Sequence, residues 1–323
     1  MTAKLHLPTS LPLAAAVADE GRIRAGGTDL MERRHKGLAP GDVVDLRDVP
    51  GLAAIEEVDE GLRIGARVTV AAIADSALVR GKNPALAKAA ASLATPQIRA
   101  VATLGGNLLQ QVRCWYARNP DFAPCLKRGG FVCHARDGDH LFHGCYDVSP
   151  CIAPAPSSLG LAMLVHDATI EAATAEGPIT RTADALYDVL ETPSHVHALP
   201  KGAVLTHVVV PTPPMSELGG YLRTIHRSRS EWPLVEASVR LRTKGGTITF
   251  AAVGIGGVAP RPFRQPQVEE ALVGQPLAPE TLAKAADKAG VDAPLLPGSA
   301  YKSPLIAPTV LGALRGAVDE GVR

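Results

Sequence analysis

The sequence predicts a mixed helix and strand protein, on three observations. Short β-type runs alternate with helix-compatible stretches through the first part of the chain, which alone allows α/β or α+β organisation. A long hairpin pattern follows, and helical stretches close the chain. The tail therefore reads as a sheet with helices packed on one face, which favours α+β.

The elements follow in order. Arg22–Ala25 is a short strand entry, followed by Gly26-Gly27 and a helix-compatible stretch closed by Gly37. Asp42–Leu46 is a second strand. Ala53–Val58 and Leu62–Gly65 form a pair across the Asp59-Glu60-Gly61 turn. Helices are predicted at Thr69–Asp75, with Thr at its start, and at Pro84–Ala94, with Pro in the first turn and alanines throughout. Leu161–Val165 and Thr169–Ala172 read as strands paired across His166-Asp167, and Val204–Val210 as another. The proline-rich, aperiodic Pro211–Ser216 is the linker candidate. Leu234–Arg242 and Thr247–Ile255 flank Lys244-Gly245-Gly246 as a hairpin, and helices are expected at Gln267–Val273, Pro279–Ala289 and Thr309–Val318.

Composition bounds the function. Lys and Arg number 33 against 32 Asp and Glu, a formal charge of +1 that argues against a nucleic-acid or membrane-surface protein held by bulk electrostatics. With 323 residues, 46% of them hydrophobic, the chain should fold into two or three domains. Met1–Leu13 carries Lys4, but its apolar run is broken at Pro8 and Pro12, so it lacks signal-peptide order. No run reaches the roughly 18 apolar residues of a membrane span. A cytoplasmic protein without membrane insertion is expected, and its thiols should be reduced.

That expectation gives weight to the cysteines. All five lie between Cys114 and Cys151. In a reduced compartment such clustering points to metal or an iron-sulfur cluster more than to disulfides. Four thiolates are the usual complement of a [4Fe-4S] cluster, large enough to take ligands from separated points on a loop. Structural zinc favours close C-x2-4-C pairs, which are lacking, although His134 could substitute for a thiol. Unliganded buried thiols are a third reading. Spacing does not say whether Cys145 or Cys151 is the spare.

Two glycine pairs add a second theme. Ala25-Gly26-Gly27-Thr28-Asp29-Leu30 sits between a strand and a helix, where missing Cβ atoms let backbone N–H groups approach a phosphate. On spacing alone Thr28 or Asp29 could equally be an ordinary N-cap, and the motif is not G-x-G-x-x-G. Thr103-Leu104-Gly105-Gly106-Asn107 repeats the pattern with what read as exposed donors, suggesting two walls around one pyrophosphate-bearing ligand, or two unrelated turns. His166, His195, His197, His207 and His226 form no ligand pattern and read as surface or structural residues. The basic run Arg223–Arg229 reads as a strand start, solvated or facing an anionic cofactor.

Taken in order, A-G-G-T-D-L, A-T-L-G-G-N-L-L-Q and Gly256–Arg264 (G-G-V-A-P-R-P-F-R) resemble the FAD-binding medium subunit of the molybdenum hydroxylase, or xanthine dehydrogenase, family over nearly the whole chain. Arg113–Tyr116 (R-C-W-Y), Cys125–His134 (C-L-K-R-G-G-F-V-C-H) and C-I-A-P-A-P-S-S-L from Cys151 look like the insertion of the 4-hydroxybenzoyl-CoA reductase β subunit and related aldehyde oxidoreductase subunits. Glu231-Trp232-Pro233-Leu234 also fits that subgroup.

The resemblance implies an α+β flavoprotein with a two-part FAD-binding domain over 1–212, an iron-sulfur insertion at about 112–152, and a C-terminal α+β domain over 217–323. It implies FAD held by Ala25, Gly26, Gly27, Thr28, Asp29 and Leu30, faced by Thr103, Gly105, Gly106 and Asn107. It also implies a [4Fe-4S] cluster on Cys114, Cys125, Cys133 and Cys151, with Cys145 spare. Two departures stand out: the family's Ser-Asp-Leu by the ribityl chain reads Ser157-Ser158-Leu159, and its Lys after the linker is Arg223. Ser158 can still accept a hydrogen bond, so altered affinity or redox tuning is expected.

The function so implied is electron transfer inside a heteromer, with no general acid or base on this chain. A large subunit would carry molybdenum cofactor and substrate, a small one [2Fe-2S] centres, and an external carrier (ferredoxin, NAD or other) would exchange electrons through FAD. The competing readings are a free-standing flavin oxidoreductase and a zinc-stabilised module without a redox role.

Overall fold

In a computed structural model, residues 3–213 and 217–321 are described. Three sheets organise them. Strands β1 (Leu5–His6), β2 (Gly21–Arg24) and β3 (Asp42–Asp45) form a parallel sheet in the order β1-β3-β2. Strands β4 (Ile55–Val58), β5 (Gly61–Gly65), β6 (Thr169–Thr174), β7 (Gly177–Thr182) and β8 (Val204–Pro211) form an antiparallel sheet, β4-β5-β8-β6-β7. Strands β9 (Leu218–Thr224), β10 (Val235–Lys244), β11 (Thr247–Gly256) and β12 (Phe263–Arg264) form the third, also antiparallel, in reverse order.

The third sheet is covered on both faces, which explains why β10 is buried from Val235 to Leu241 without a break. Val235, Ala237, Val239 and Leu241 share a core with Ile306, Val310 and Ala313 of the helix Ser303–Gly321 and with the helices Pro266–Leu272 and Pro279–Ala286. The alternate residues Glu236, Ser238 and Arg240 turn the other way. On that side the helix Ser158–Val165 packs against β10 and β11, and Arg240 Nη1 donates to the Val165 carbonyl at 2.9 Å. The two halves of the chain are thus joined through a shared layer.

Two expectations are corrected. Leu161–Val165 is not a strand: it belongs to the helix Ser158–Val165, whose first turn is capped by Ser157 Oγ accepting from Gly160 N at 2.8 Å. Every residue of this helix is buried, so its sequence carries no amphipathic period that would distinguish it from a buried strand. The hairpin partner of β6 is instead β7, with β8 paired on its other side. The basic run from Arg223 lies at a strand end, not a strand start, because β9 closes at Thr224. Of the linker candidate Pro211–Ser216, Pro211 ends β8, and residues 214–216 lie outside the described residues.

Candidate functional site

The first glycine pair connects β2 to the helix Leu30–His35 and borders a cleft of about 670 Å³. All six residues from Ala25 to Leu30 line it, and Thr103, Gly105 and Gly106 line it with them. A Cβ on Gly26 would stand 2.1 Å from the Val101 carbonyl oxygen, so only glycine lets this turn lie against the second loop. The N–H groups of Gly26, Gly27, Thr28 and Asp29 have no protein acceptor among the described residues. Four orphan donors in a cleft of this size fit the anionic pyrophosphate of FAD.

The second pair does a different job from the one expected. Its N–H groups are occupied: Leu104 N donates to Val68 O, Gly105 N to Ala66 O, Gly106 N to Thr103 Oγ1 and Asn107 N to Thr103 O. A Cβ on Gly105 would stand 3.0 Å from that of Ala66. This loop is a close-packed wall, not a donor nest. Asn107 lies beneath the wall, where its Oδ1 accepts from Ser157 Oγ at 2.7 Å. Sequence reasoning missed other parts of the rim, among them Gln110, Gln111 and the segment Ser194–Ala203 that carries His195 and His197. That segment has no glycine pair or motif to mark it.

Asp29 sits at the N-cap position but caps nothing with its side chain. Its carboxylate reaches out of the loop instead. Arg118 Nη2 donates to Asp29 Oδ1 and Nη1 to Glu32 Oε2, each at 2.5 Å, while its Nε donates to the Val112 carbonyl. Arg113 adds ion pairs to the same two carboxylates at 3.3 and 3.4 Å. These arginines tie the glycine loop to the segment that carries the cysteines. Burial, with the neighbouring Arg118 charge adding to it, lowers the Arg113 pKa to about 10, and its guanidinium lies 4.7 Å from the centre of the Trp232 ring.

Cys114, Cys125, Cys133 and Cys151 line one small cavity, closed by Tyr116, Lys127, His134, Ala135 and His143 among others and free of any carboxylate. Cys145 is absent from it: fully buried, it packs in the core of the third sheet, where burial raises its thiol pKa to about 11. Backbone N–H groups address the converging sulfurs, those of Tyr116 and Ala117 at Cys114, of Ala135, Arg136 and Ile152 at Cys133, and of Ala153 at Cys151. Cys151 and Cys133 share a hydrogen bond that lowers the pKa of Cys133 and raises that of Cys151, while burial raises Cys114 to about 11.

Among the described residues no three His, Cys, Asp or Glu side chains are grouped to hold a single metal ion. The cavity thus brings together four thiols, with backbone N–H groups and Lys127 around them and no carboxylate, a soft donor set in a cationic setting.

Cys114 also borders a second cleft, of about 370 Å³, walled by Trp115, Phe142, Trp232 and Pro233 and reached by Arg113 and Glu236. The two departures lie beside it. Ser158 is buried without a well-aligned partner for its hydroxyl, although the side chains of Glu236 and Tyr221 lie close enough to feel it. Arg223 donates to the carbonyls of Ser92 and Glu231.

Fold and site together define a flavoprotein of the molybdenum-hydroxylase type. The chain belongs to the family described as the FAD binding domain in molybdopterin dehydrogenase, which matches residues 3–213, and residues 220–305 match the CO dehydrogenase flavoprotein C-terminal domain. It is similar to the aldehyde oxidoreductase FAD-binding subunit PaoB of Escherichia coli, with 34% identity over 81% of this chain and 82% of that one. It is also similar to the carbon monoxide dehydrogenase medium chain of Afipia carboxidovorans, with 26% identity over 87% and 83%. Carbon monoxide dehydrogenase from Hydrogenophaga pseudoflava shares the fold, with a TM-score of 0.74 over 99% of this chain and 98% of that one at 22% identity. So does quinoline 2-oxidoreductase from Pseudomonas putida 86, at 0.72 over 98% of each chain and 22% identity. Among the described residues no helix is long and apolar enough to cross a membrane.

Proposed function

We propose that this chain is the FAD- and [4Fe-4S]-carrying electron-transfer subunit of a cytoplasmic heteromeric molybdenum hydroxylase or reductase, of the 4-hydroxybenzoyl-CoA reductase β-like kind. It relays electrons between [2Fe-2S] centres of a small subunit and an external carrier, while a large subunit holds the molybdenum cofactor and the substrate. Relatives named as the medium chains of nicotine 6-hydroxylase and of carbon monoxide dehydrogenase support such an assembly.

The observation that carries the reading is the shared wall at Cys114. Four of five cysteines turn to one cavity, and one of the four also borders the aromatic cleft that lies across Arg113 from the glycine-loop cleft. Ala25–Leu30 hold the pyrophosphate through backbone N–H groups, Thr103, Gly105 and Gly106 wall it from the other side, and Asn107 supports that wall. Trp232 and Arg113 offer a flat surface for the flavin ring. Bound flavin supplies the two-electron to one-electron exchange, and the chain orients and tunes it. Cys114, Cys125, Cys133 and Cys151 hold the cluster. The division into 1–212, with the insertion at about 112–152, and 217–323 follows from the same reading.

Anaerobically purified protein should contain FAD and about four iron atoms with matching acid-labile sulfide per chain. Cys145→Ser should keep the iron, and Cys125→Ser should lose it. A colourless protein with stoichiometric zinc would overturn the cluster. Iron lost with Cys145 and kept without Cys125 would overturn the ligand set.

A further inference from the structure

Glu236 is a carboxylate that no charge balance in the core requires. It is 2% exposed on the face of β10 that turns to the helix Ser158–Val165, and its neighbour there is the Ser158 hydroxyl. Tyr221 donates its hydroxyl to Glu236 Oε2, and Arg223 stands opposite Glu236 in the register of β9 and β10. The guanidinium of Arg223 is spent on the Ser92 and Glu231 carbonyls. A carboxylate offers about four acceptor sites; among the described residues the Tyr221 hydroxyl fills one in aligned geometry, and the Ser158 hydroxyl lies within reach of another. A Cβ on Gly256 would stand 2.7 Å from Glu236 Oε1, so the side chain is held in place by its neighbours. Its outer edge borders the aromatic cleft with Arg113, Trp115 and Trp232.

We propose that Glu236 supplies the carboxylate that Ser158 lacks, accepting hydrogen bonds from the ribityl hydroxyls of bound FAD from strand β10 where the family pattern places an Asp on the facing helix. The proposal rests on the FAD reading above. The helix and the strand are in contact here, so either can present an acceptor to the same space. Ser158, shortened by the loss of its carboxylate, leaves room for the longer Glu opposite.

The test is FAD affinity of the deflavinated full chain, followed by flavin fluorescence quenching, for wild type, Glu236→Gln, Glu236→Ser and the exchange Ser158→Asp/Glu236→Ser. Glu236→Gln preserves shape and should still weaken FAD binding about 10- to 100-fold, the usual effect of losing a hydrogen bond to a charged group. Glu236→Ser should weaken it at least as much, and the exchange should bring affinity back to within about threefold of wild type. Unchanged affinity in Glu236→Gln, or an exchange that binds no better than Glu236→Ser, overturns the assignment. If the single variants fail to fold by circular dichroism, the exchange decides alone, by binding FAD or not. A wild-type chain that takes up no FAD overturns the FAD reading itself, whereas wild-type binding with indifferent variants overturns only the role of Glu236.

Discussion

His166 shows how a single residue ties the folded state to pH. It is fully buried at the end of the helix Ser158–Val165, where its Nδ1–H donates to the Ala162 carbonyl at 2.7 Å. Burial, helped by the Arg240 charge, pushes its pKa down to about 3. The unfolded chain takes up this proton near pH 6.5, and the folded one does not until far lower. The contribution is therefore constant above pH 6.5 and is lost as pH falls below it, at about 1.4 kcal/mol per pH unit. Between pH 7 and 5 the wild type should lose about 2 kcal/mol more unfolding free energy than His166→Gln. Parallel urea-unfolding curves at the two pH values would sink this account. At this scale the glycines and cysteines could be read from type and spacing, because each is chemically distinctive. Glu236 could not, since nothing local separates a buried carboxylate on a strand from a solvated one.

At the scale of elements, the turn at Gly26 is the clearest case of local sequence obeying a distant neighbour. The Val101 carbonyl leaves no room for a Cβ, and the chain must adopt this path for its orphan N–H groups to face the cleft. Gly26→Ala should cost about 1–3 kcal/mol of stability through overpacking and should reduce the flavin copurifying with the chain. Scanning calorimetry and the flavin absorbance read the two effects separately. A variant as stable and as yellow as wild type would show that the loop relaxes freely. The strands β2, β3, β5, β8, β10 and β11 and the tail helices stand close to where periodicity and turn residues put them. The helix Ser158–Val165 was misread because both its sides are buried, and tertiary burial erases the polar face on which a helical period depends. The second glycine loop was placed correctly and its role misjudged, because occupancy of N–H groups is a property of neighbours.

At the scale of the whole molecule, Arg118 joins the two candidate cofactor sites. Its guanidinium, 8% exposed, serves Asp29 and Glu32 beside the glycine loop and the carbonyls of Gln111 and Val112 at the entry to the cysteine segment. Arg118→Ala should leave the Gln111 and Val112 carbonyls without this donor, while Arg113 still pairs with both carboxylates, and cost about 1–3 kcal/mol. Flavin and iron content should fall together, whereas a change confined to the cysteine cavity should lower iron alone. Full retention of flavin in an iron-depleted Arg118→Ala protein would refute the coupling. By itself the sequence determined the mixed fold, the glycine turns and the confinement of thiols to one segment, because these depend on residue type and local spacing. Only the tertiary structure decided that Cys145 turns into a core while Cys151 joins the other three cysteines, that one glycine pair leaves its N–H groups without protein acceptors while those of the other are occupied, and that Glu236 faces Ser158. Each of those depends on which distant surfaces meet, and contact between surfaces far apart in sequence is set by the packing of layers.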